Sequence, residues 1–264
     1  MKRSFKDIIR KFLENIMYFS KYVLVYVILI FLPFILESIF KVYVSYSSDN
    51  LELKYGIELA IILSVFILLR IRSFNRDREF LNKGIYGNWP RFIYWFASCV
   101  LGYGLIDLAM KPYYVCFYIL KNNLFNIKEI RLDEDNDNNI TIDKGKYDKK
   151  CTICNVIIED TYPINLEQIP ERNRGLSTIK ISRNEKECKR LYSKKFIDEI
   201  VKIFSSINKT NPEIHLYMTT NTLHTQKIVE DIFLKRENYN VYIHQQNSDD
   251  NRIFKEKGKH YIFD

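Results

Sequence analysis

Hydrophobic residues along this chain follow two different rhythms. Residues 22–36 (YVLVYVILIFLPFIL) carry no charge, and the apolar character continues to Phe40, about the 20 residues that cross a bilayer as a helix. Pro33 would kink such a helix, which membrane helices tolerate. A second run, 59–69 (LAIILSVFILL), reaches about 17 residues when Tyr55 and Ile71 flank it, and Arg70 and Arg72 stop it. Together they predict a transmembrane helical hairpin over 21–72; the alternative for the second run alone is a buried core helix. Ahead of them Phe5, Ile8, Ile9, Phe12, Leu13, Ile16 and Met17 recur at helical spacing opposite Lys2, Arg3, Lys6, Arg10 and Lys11. That pattern predicts an amphipathic interfacial helix over 1–20.

The stretch 92–120 (FIYWFASCVLGYGLIDLAMKPYYVCFYIL) reads in two ways. It is apolar enough for a third span, but Asp107, Lys111 and Pro112 interrupt it, and a charge at bilayer depth costs roughly 2.5–3.5 kcal/mol. The reading preferred here is a linker and long helix outside the bilayer, over 73–122, that pairs with its copy in a dimer.

Beyond residue 122 the pattern becomes that of alternating short strands and helices. Strands are predicted at 140–143, 151–160, 176–182, 213–218 and 241–245, the second most strongly, from its β-branched content. Helices are predicted at about 185–207 and 222–235, where Ile197, Ile200, Val201 and Phe204, then Ile228, Val229, Ile232 and Phe233, mark apolar faces. Strand–helix–strand order implies a mainly parallel sheet with right-handed crossovers. The fold class is therefore a membrane-anchored α/β protein, with the sensor-like α/β domain over 123–264.

Charge sharpens the placement. The 264 residues carry a formal net charge of +8, which by itself would suit a nucleic-acid binder. Residues 1–122 hold 16 Lys/Arg against 9 Asp/Glu, however, and residues 123–264 hold 24 against 23. The excess sits beside the apolar runs, as juxtamembrane cations do, so no nucleic-acid polymer is expected as a partner. The positive-inside rule then places both ends of the hairpin, and the C-terminal domain, in the cytoplasm. Five cysteines, an odd number that includes Cys151 and Cys154 in a CxxC, suit a reducing compartment.

Candidate chemistry is sparse. Asp133, Asp135 and Asp137 fall at the first three ligand positions of a calcium loop, but Asn138 and Lys144 stand where Gly and Glu are needed. Cys151 and Cys154 point to opposite faces of a strand and lack a second ligand pair, so no metal is expected. Glu159 and Asp160 end a strand with no Ser, His or Lys partner visible, and no nucleotide-binding or hydrolase motif occurs. The reading is of a non-enzyme without cofactors. The residues that do suggest binding are in PERNRG (170–175), where Arg172 and Arg174 flank Asn173 in one loop; guanidinium groups take phosphates through paired donors.

An apolar hairpin, the LGYG of 101–104, the strand NVIIED, an Arg-bearing loop and then strand–helix–strand–helix is an order that resembles STING-type cyclic-dinucleotide receptors. The resemblance covers roughly 92–243 and is to the bacterial versions fused to transmembrane helices, which serve as antiphage effectors. It implies that Tyr103 stacks on the ligand's bases and that Arg172 or Arg174 contacts its phosphates. It further implies a homodimer or higher oligomer in the bacterial inner membrane, a cyclic dinucleotide or related messenger as ligand, and disruption of the bilayer on oligomerisation. Where that family usually has a Thr-Pro turn, this chain has Ile181-Ser182-Arg183-Asn184. The alternative is a non-enzymatic membrane-anchored adaptor that binds protein partners through the α/β domain.

Overall fold

A computed structural model describes residues 50–81, 88–109, 111–134, 139–145, 147–148, 151–183, 190–207, 213–235, 240–246 and 252–262. The interfacial helix at 1–20, the first apolar run and Cys188 lie outside the described residues. The chain divides into two units.

In the first unit, helix α1 (Asn50–Asn75) carries the second apolar run. Ile62, Leu63, Val65, Phe66, Leu69 and Phe74 are all exposed on it. Among the described residues no helix meets the length and hydropathy needed to cross a membrane. The end of α1 holds the segment Phe96–Tyr103 by two hydrogen bonds. Arg72 Nη1 donates to the Cys99 carbonyl at 2.6 Å, and buried Asn75 donates to the Leu101 carbonyl at 2.9 Å. Gly102 makes this closeness possible. Its φ is +74°, and a Cβ there would lie 2.8 Å from Arg72 Cα.

The second unit is the α/β domain. Its elements in chain order are β1 (Glu79–Phe80), α2 (Arg91–Trp95), β2 (Leu105–Ile106), α3 (Tyr113–Lys121), β3 (Asn126–Ile127), β4 (Ile140–Asp143), β5 (Ile153–Glu159), β6 (Ser177–Arg183), α4 (Lys194–Ser206), β7 (Glu213–Met218), α5 (Thr222–Ile228), β8 (Asn240–Gln246) and β9 (Phe254–Tyr261). The two-residue strands β1, β2 and β3 form a small parallel sheet. The main sheet has the order β4-β6-β5-β7-β8-β9, parallel from β6 to β8 with one antiparallel strand on each edge. The mainly parallel sheet expected from the strand–helix alternation is thus present.

Alternation along each central strand divides the sheet into two faces. Val156, Ile158, Ile179, Ile181, Ile214, Leu216, Met218, Val241 and Ile243 form one apolar layer. The helices α3, α4 and α5 cover it, with Phe117, Phe204 and Phe233 packed at ring distances of 5.2 and 5.3 Å. Ser193 and Asn221 cap α4 and α5 by accepting the backbone N–H groups of Phe196 and His224. The opposite face carries Asn155, Ile157, Glu159, His215, Tyr217 and His244 beneath the segment that joins β5 to β6, where Ile164 and Ile169 pack with Ile157, Tyr217 and Phe254.

The stretch 92–120 is not the single long helix expected. It is the one-turn α2, a π-helical turn (Phe96–Val100), strand β2 and then α3. Gly102 with positive φ ends the first helical piece, pairing with β1 and β3 draws Leu105 and Ile106 into a strand, and Pro112 starts the next helix, where its missing N–H costs nothing.

Candidate functional site

The first strand of the parallel series, β5, lies in the middle. The chain moves from it outward to β6, then back across to β7 on its other side. The carboxyl ends of the strands at such a reversal are where α/β sheets generally bind ligands. Glu159 and Asp160 stand at that point.

The structure corrects the reading that they lack partners. Glu159 is held by the Ser182 hydroxyl at 2.7 Å, Lys180 at 2.6 Å and the backbone N–H of Ile164 at 2.6 Å. Asp160 is the centre of a buried network. Its Oδ2 accepts from His224 Nδ1 at 2.6 Å and from the Asn221 backbone N–H at 2.9 Å, and its Oδ1 pairs with Arg183 at 3.0 Å. All three charged or titratable side chains are essentially inaccessible. Because the Ser193 backbone N–H can only donate, His224 Nε2 accepts it, at 2.8 Å, and the ring proton lies on Nδ1 facing Asp160. An Asp–His pair of this kind serves catalysis when Nε2 is free to take a proton from a nucleophile. Here that atom is already occupied by a backbone group, and the network fastens α4 and α5 to the ends of β5 and β6.

Beside it, the polar face of the sheet is roofed by the segment 160–176. Asn173 is the pin. Its buried amide donates to the Tyr217 hydroxyl at 2.7 Å and lies 3.2 Å from His215 Nδ1, while Asn155 donates to its carbonyl at 2.7 Å. His215 and His244 meet at 2.8 Å, Nδ1 to Nε2, and His215 Nε2 donates to Glu213 at 2.9 Å. A carboxylate can only accept, so His215 carries its proton on Nε2 and takes one from His244 Nε2–H. His244 Nδ1 and Asn155 Oδ1 are then buried acceptors without hydrogen-bond partners.

Both imidazoles are held below their ordinary range, first by burial. Lys259 adds to the effect on His215, and the neighbouring His215 adds to it on His244, whose pKa falls to about 3. Folding therefore releases protons at acid pH, and stability is full above about pH 6.5 and lost as the pH falls toward 3. His244 alone is expected to cost about 2 kcal/mol between pH 6.5 and 5. Urea denaturation of the full chain in detergent should show this slope, absent between pH 7 and 8.5 and reduced in His244→Gln.

The rim is cationic but paired. Arg172, half exposed at the lid of this face, binds Glu256 of β9 at 2.7 Å. Lys259 lies 3.3 Å from Glu213, and Arg252 stacks over the Tyr162 ring at 4.0 Å. Arg174 folds back on its own loop: Nε donates to the Ile169 carbonyl at 2.9 Å and Nη2 to that of Glu167 at 2.8 Å. Arg172 and Arg174 are thus brought to one loop, both exposed, the first reaching across to β9 and the second tying the loop's backbone. Tyr103 belongs to the other unit, where it is buried. Cys154 is buried in β5 with its thiol pushed up to about 12, chiefly by burial, and Cys151 lies just before the strand. Among the described residues no group of three His, Cys, Asp or Glu side chains is placed to hold a metal.

The described order is an apolar helix followed by this α/β unit. The family model of the SMODS- and Ubiquitin system-associated 2TM effector domain matches residues 8–262, and the chain belongs to that family. No curated protein matches the sequence. Among solved structures, the chain is similar to the Acinetobacter baumannii Cap4 SAVED/CARF-domain containing receptor with the cyclic trinucleotide 3'3'3'-cAAA, at 11% identity and a TM-score of 0.42 over 65% of this chain and 41% of that one. The same receptor with 2'3'3'-cAAA gives 11% and 0.42 over 65% and 40%, and without a ligand in its description 13% and 0.37 over 58% and 36%. The chain spans less than half the length of these receptors.

Proposed function

We propose that this protein is an antiphage membrane effector whose α/β unit binds a cyclic nucleotide messenger and whose hairpin, residues 21–72, then perturbs the bacterial inner membrane by oligomerising. The observation that carries the reading is the row of exposed apolar side chains on α1, from Ile62 to Phe74, in a chain of the 2TM effector family. A contiguous apolar surface of that kind needs lipid or another apolar helix against it. The four arginines that follow the run, Arg70, Arg72, Arg76 and Arg78, suit the cytoplasmic headgroups, which supports a cytoplasmic α/β unit. No catalytic step is invoked: a messenger that binds the oligomer better than the smaller species shifts the population toward it.

Arg172 is the phosphate contact in this reading. Its present partner, Glu256, is more than half exposed, and exposed ion pairs are worth only about 0–1 kcal/mol. An incoming phosphate diester offers a guanidinium a comparable partner at little cost. Arg174 keeps the loop in shape, since its donors hold two loop carbonyls.

The test is a binding screen of cyclic di- and trinucleotides against the full chain in detergent. One of them should bind, and Arg172→Ala should weaken it by about tenfold or more while leaving the melting temperature within the small range of surface substitutions. In cells that make the messenger, Arg172→Ala with Arg174→Ala should abolish membrane permeabilisation. Binding and toxicity that survive both substitutions would remove the lid from the mechanism.

A further inference from the structure

Helix α2 turns two large apolar side chains outward. Phe92 is 66% exposed and Trp95 49%, and their i, i+3 spacing puts them on one face, while Ile93 and Tyr94 between them are buried. The helix is fastened from beneath. Arg91 donates to the Tyr261 carbonyl at 2.6 Å and lies 5.7 Å from the centre of the Tyr118 ring. A rigid turn that presents Phe and Trp to the outside is costly in water, and Trp has a marked preference for the boundary between acyl chains and headgroups.

Chain connectivity says which apolar phase meets this face. Trp95 is followed directly by the segment Phe96–Tyr103, which the end of α1 holds through Arg72 and Asn75. Arg72 is one of the four arginines that stand at the cytoplasmic headgroups under the proposed function. Cys99, whose carbonyl Arg72 binds, is the fourth residue after Trp95, so by chain length alone Trp95 lies at most about 15 Å from it. The headgroup layer on each side of the hydrocarbon is roughly 5–8 Å thick. The tether leaves the level of the bilayer at which tryptophan is most stable within reach of Trp95.

We propose that Phe92 and Trp95 form a lipid-facing foot of the α/β unit, seated at the acyl–headgroup boundary of the cytoplasmic leaflet. The foot rests on the membrane placement of α1 given above. It makes the unit that binds the messenger a peripheral membrane element in its own right, so that a change in the unit is felt at the lipid through α2 as well as through the hairpin.

Trp89 and Trp95 are the chain's two tryptophans, which allows a direct test. The full chain carrying Trp89→Phe is reconstituted into phosphatidylcholine–phosphatidylglycerol vesicles whose lipids are brominated either high or low on the acyl chain. The foot requires that shallow bromines quench Trp95 by about twofold, that deep bromines quench it less, and that aqueous iodide hardly reaches it. The difference between the wild-type and Trp95→Phe proteins gives the same readout if Trp89→Phe folds poorly. Emission that ignores both bromine positions overturns the proposal: with iodide access the face is in water, and without it the face is covered by protein such as a second copy. Flotation of the vesicles after an alkaline wash separates the two ideas. Loss of the whole chain from the vesicles would refute the membrane placement of α1, while retention with unquenched Trp95 would refute the foot alone.

Discussion

Asp160→Asn is expected to destabilise the α/β unit by about 3–5 kcal/mol, the usual cost of leaving one partner of a buried ion pair uncompensated. The amide can still accept from His224 and from the Asn221 N–H, so the loss isolates the charge. Arg183, about 1% exposed, would lose the Asp160 carboxylate from beside its buried guanidinium. Arg183→Met should cost a similar amount for the converse reason. The double variant Asp160→Asn with Arg183→Met removes both charges and should recover a substantial part of the loss. Urea denaturation of the full chain in detergent, followed by circular dichroism, measures all three. A single-variant loss below about 1 kcal/mol, or a double variant at the sum of the singles, would show that the pair does not organise this end of the sheet.

The second large effect is expected at Gly102. An alanine there meets two penalties together. The left-handed backbone costs a non-glycine residue about 1–2 kcal/mol, and the new Cβ would sit 2.8 Å from Arg72 Cα, a backbone atom that no rotamer change can move. Relief requires the segment Phe96–Tyr103 to leave the end of α1, which breaks the Arg72–Cys99 and Asn75–Leu101 hydrogen bonds. Gly102→Ala should therefore expose this segment to limited proteolysis and lower the melting temperature, whereas Gly175→Ala, with nothing within 4 Å of the added carbon, should leave both unchanged. Equal behaviour of the two variants would contradict the close approach.

How far the sequence foretold these features depended on the range of the interactions involved. Strand β7 was legible to the residue, because EIHLYM is short and bounded by Asn-Pro and Thr-Thr-Asn. The apolar faces of α4 and α5 were legible for the same local reason. Strand β9 was missed: FKEKGKHY carries charge at almost every second position, the signature of a protected sheet edge, and its contacts with β8 rather than its composition make it a strand. The break of 92–120 was hidden by its apolar composition, since the pairing of β2 with β1 and β3 involves residues about 20–26 positions away.

The partners of Asp160 and Glu159 were illegible because they are 21–64 residues distant and reach the carboxylates only once the parallel register is set. The histidine pair had a usable signal. Aligning EIHLY with VYIHQ as adjacent parallel strands, with Tyr217 opposite His244, puts both imidazoles and the tyrosine on one face of the sheet. The Arg loop was found from residue type and turn chemistry, but the division of labour within it was not. Which of the two reaches across to Glu256 and which ties its own loop depends on the 3₁₀ turn Glu171–Asn173 and on Asn173 being drawn inward by Tyr217.

The account stands on coupling between a bound messenger and the bilayer. The full chain reconstituted into dye-loaded vesicles, with a cyclic nucleotide identified by the binding screen added outside to proteins whose α/β unit faces outward, measures that coupling directly. The account expects dye release that saturates with messenger concentration, rises steeply with the number of proteins per vesicle, and is lost in Arg172→Ala. Saturating binding of the messenger with the vesicles remaining sealed would contradict it.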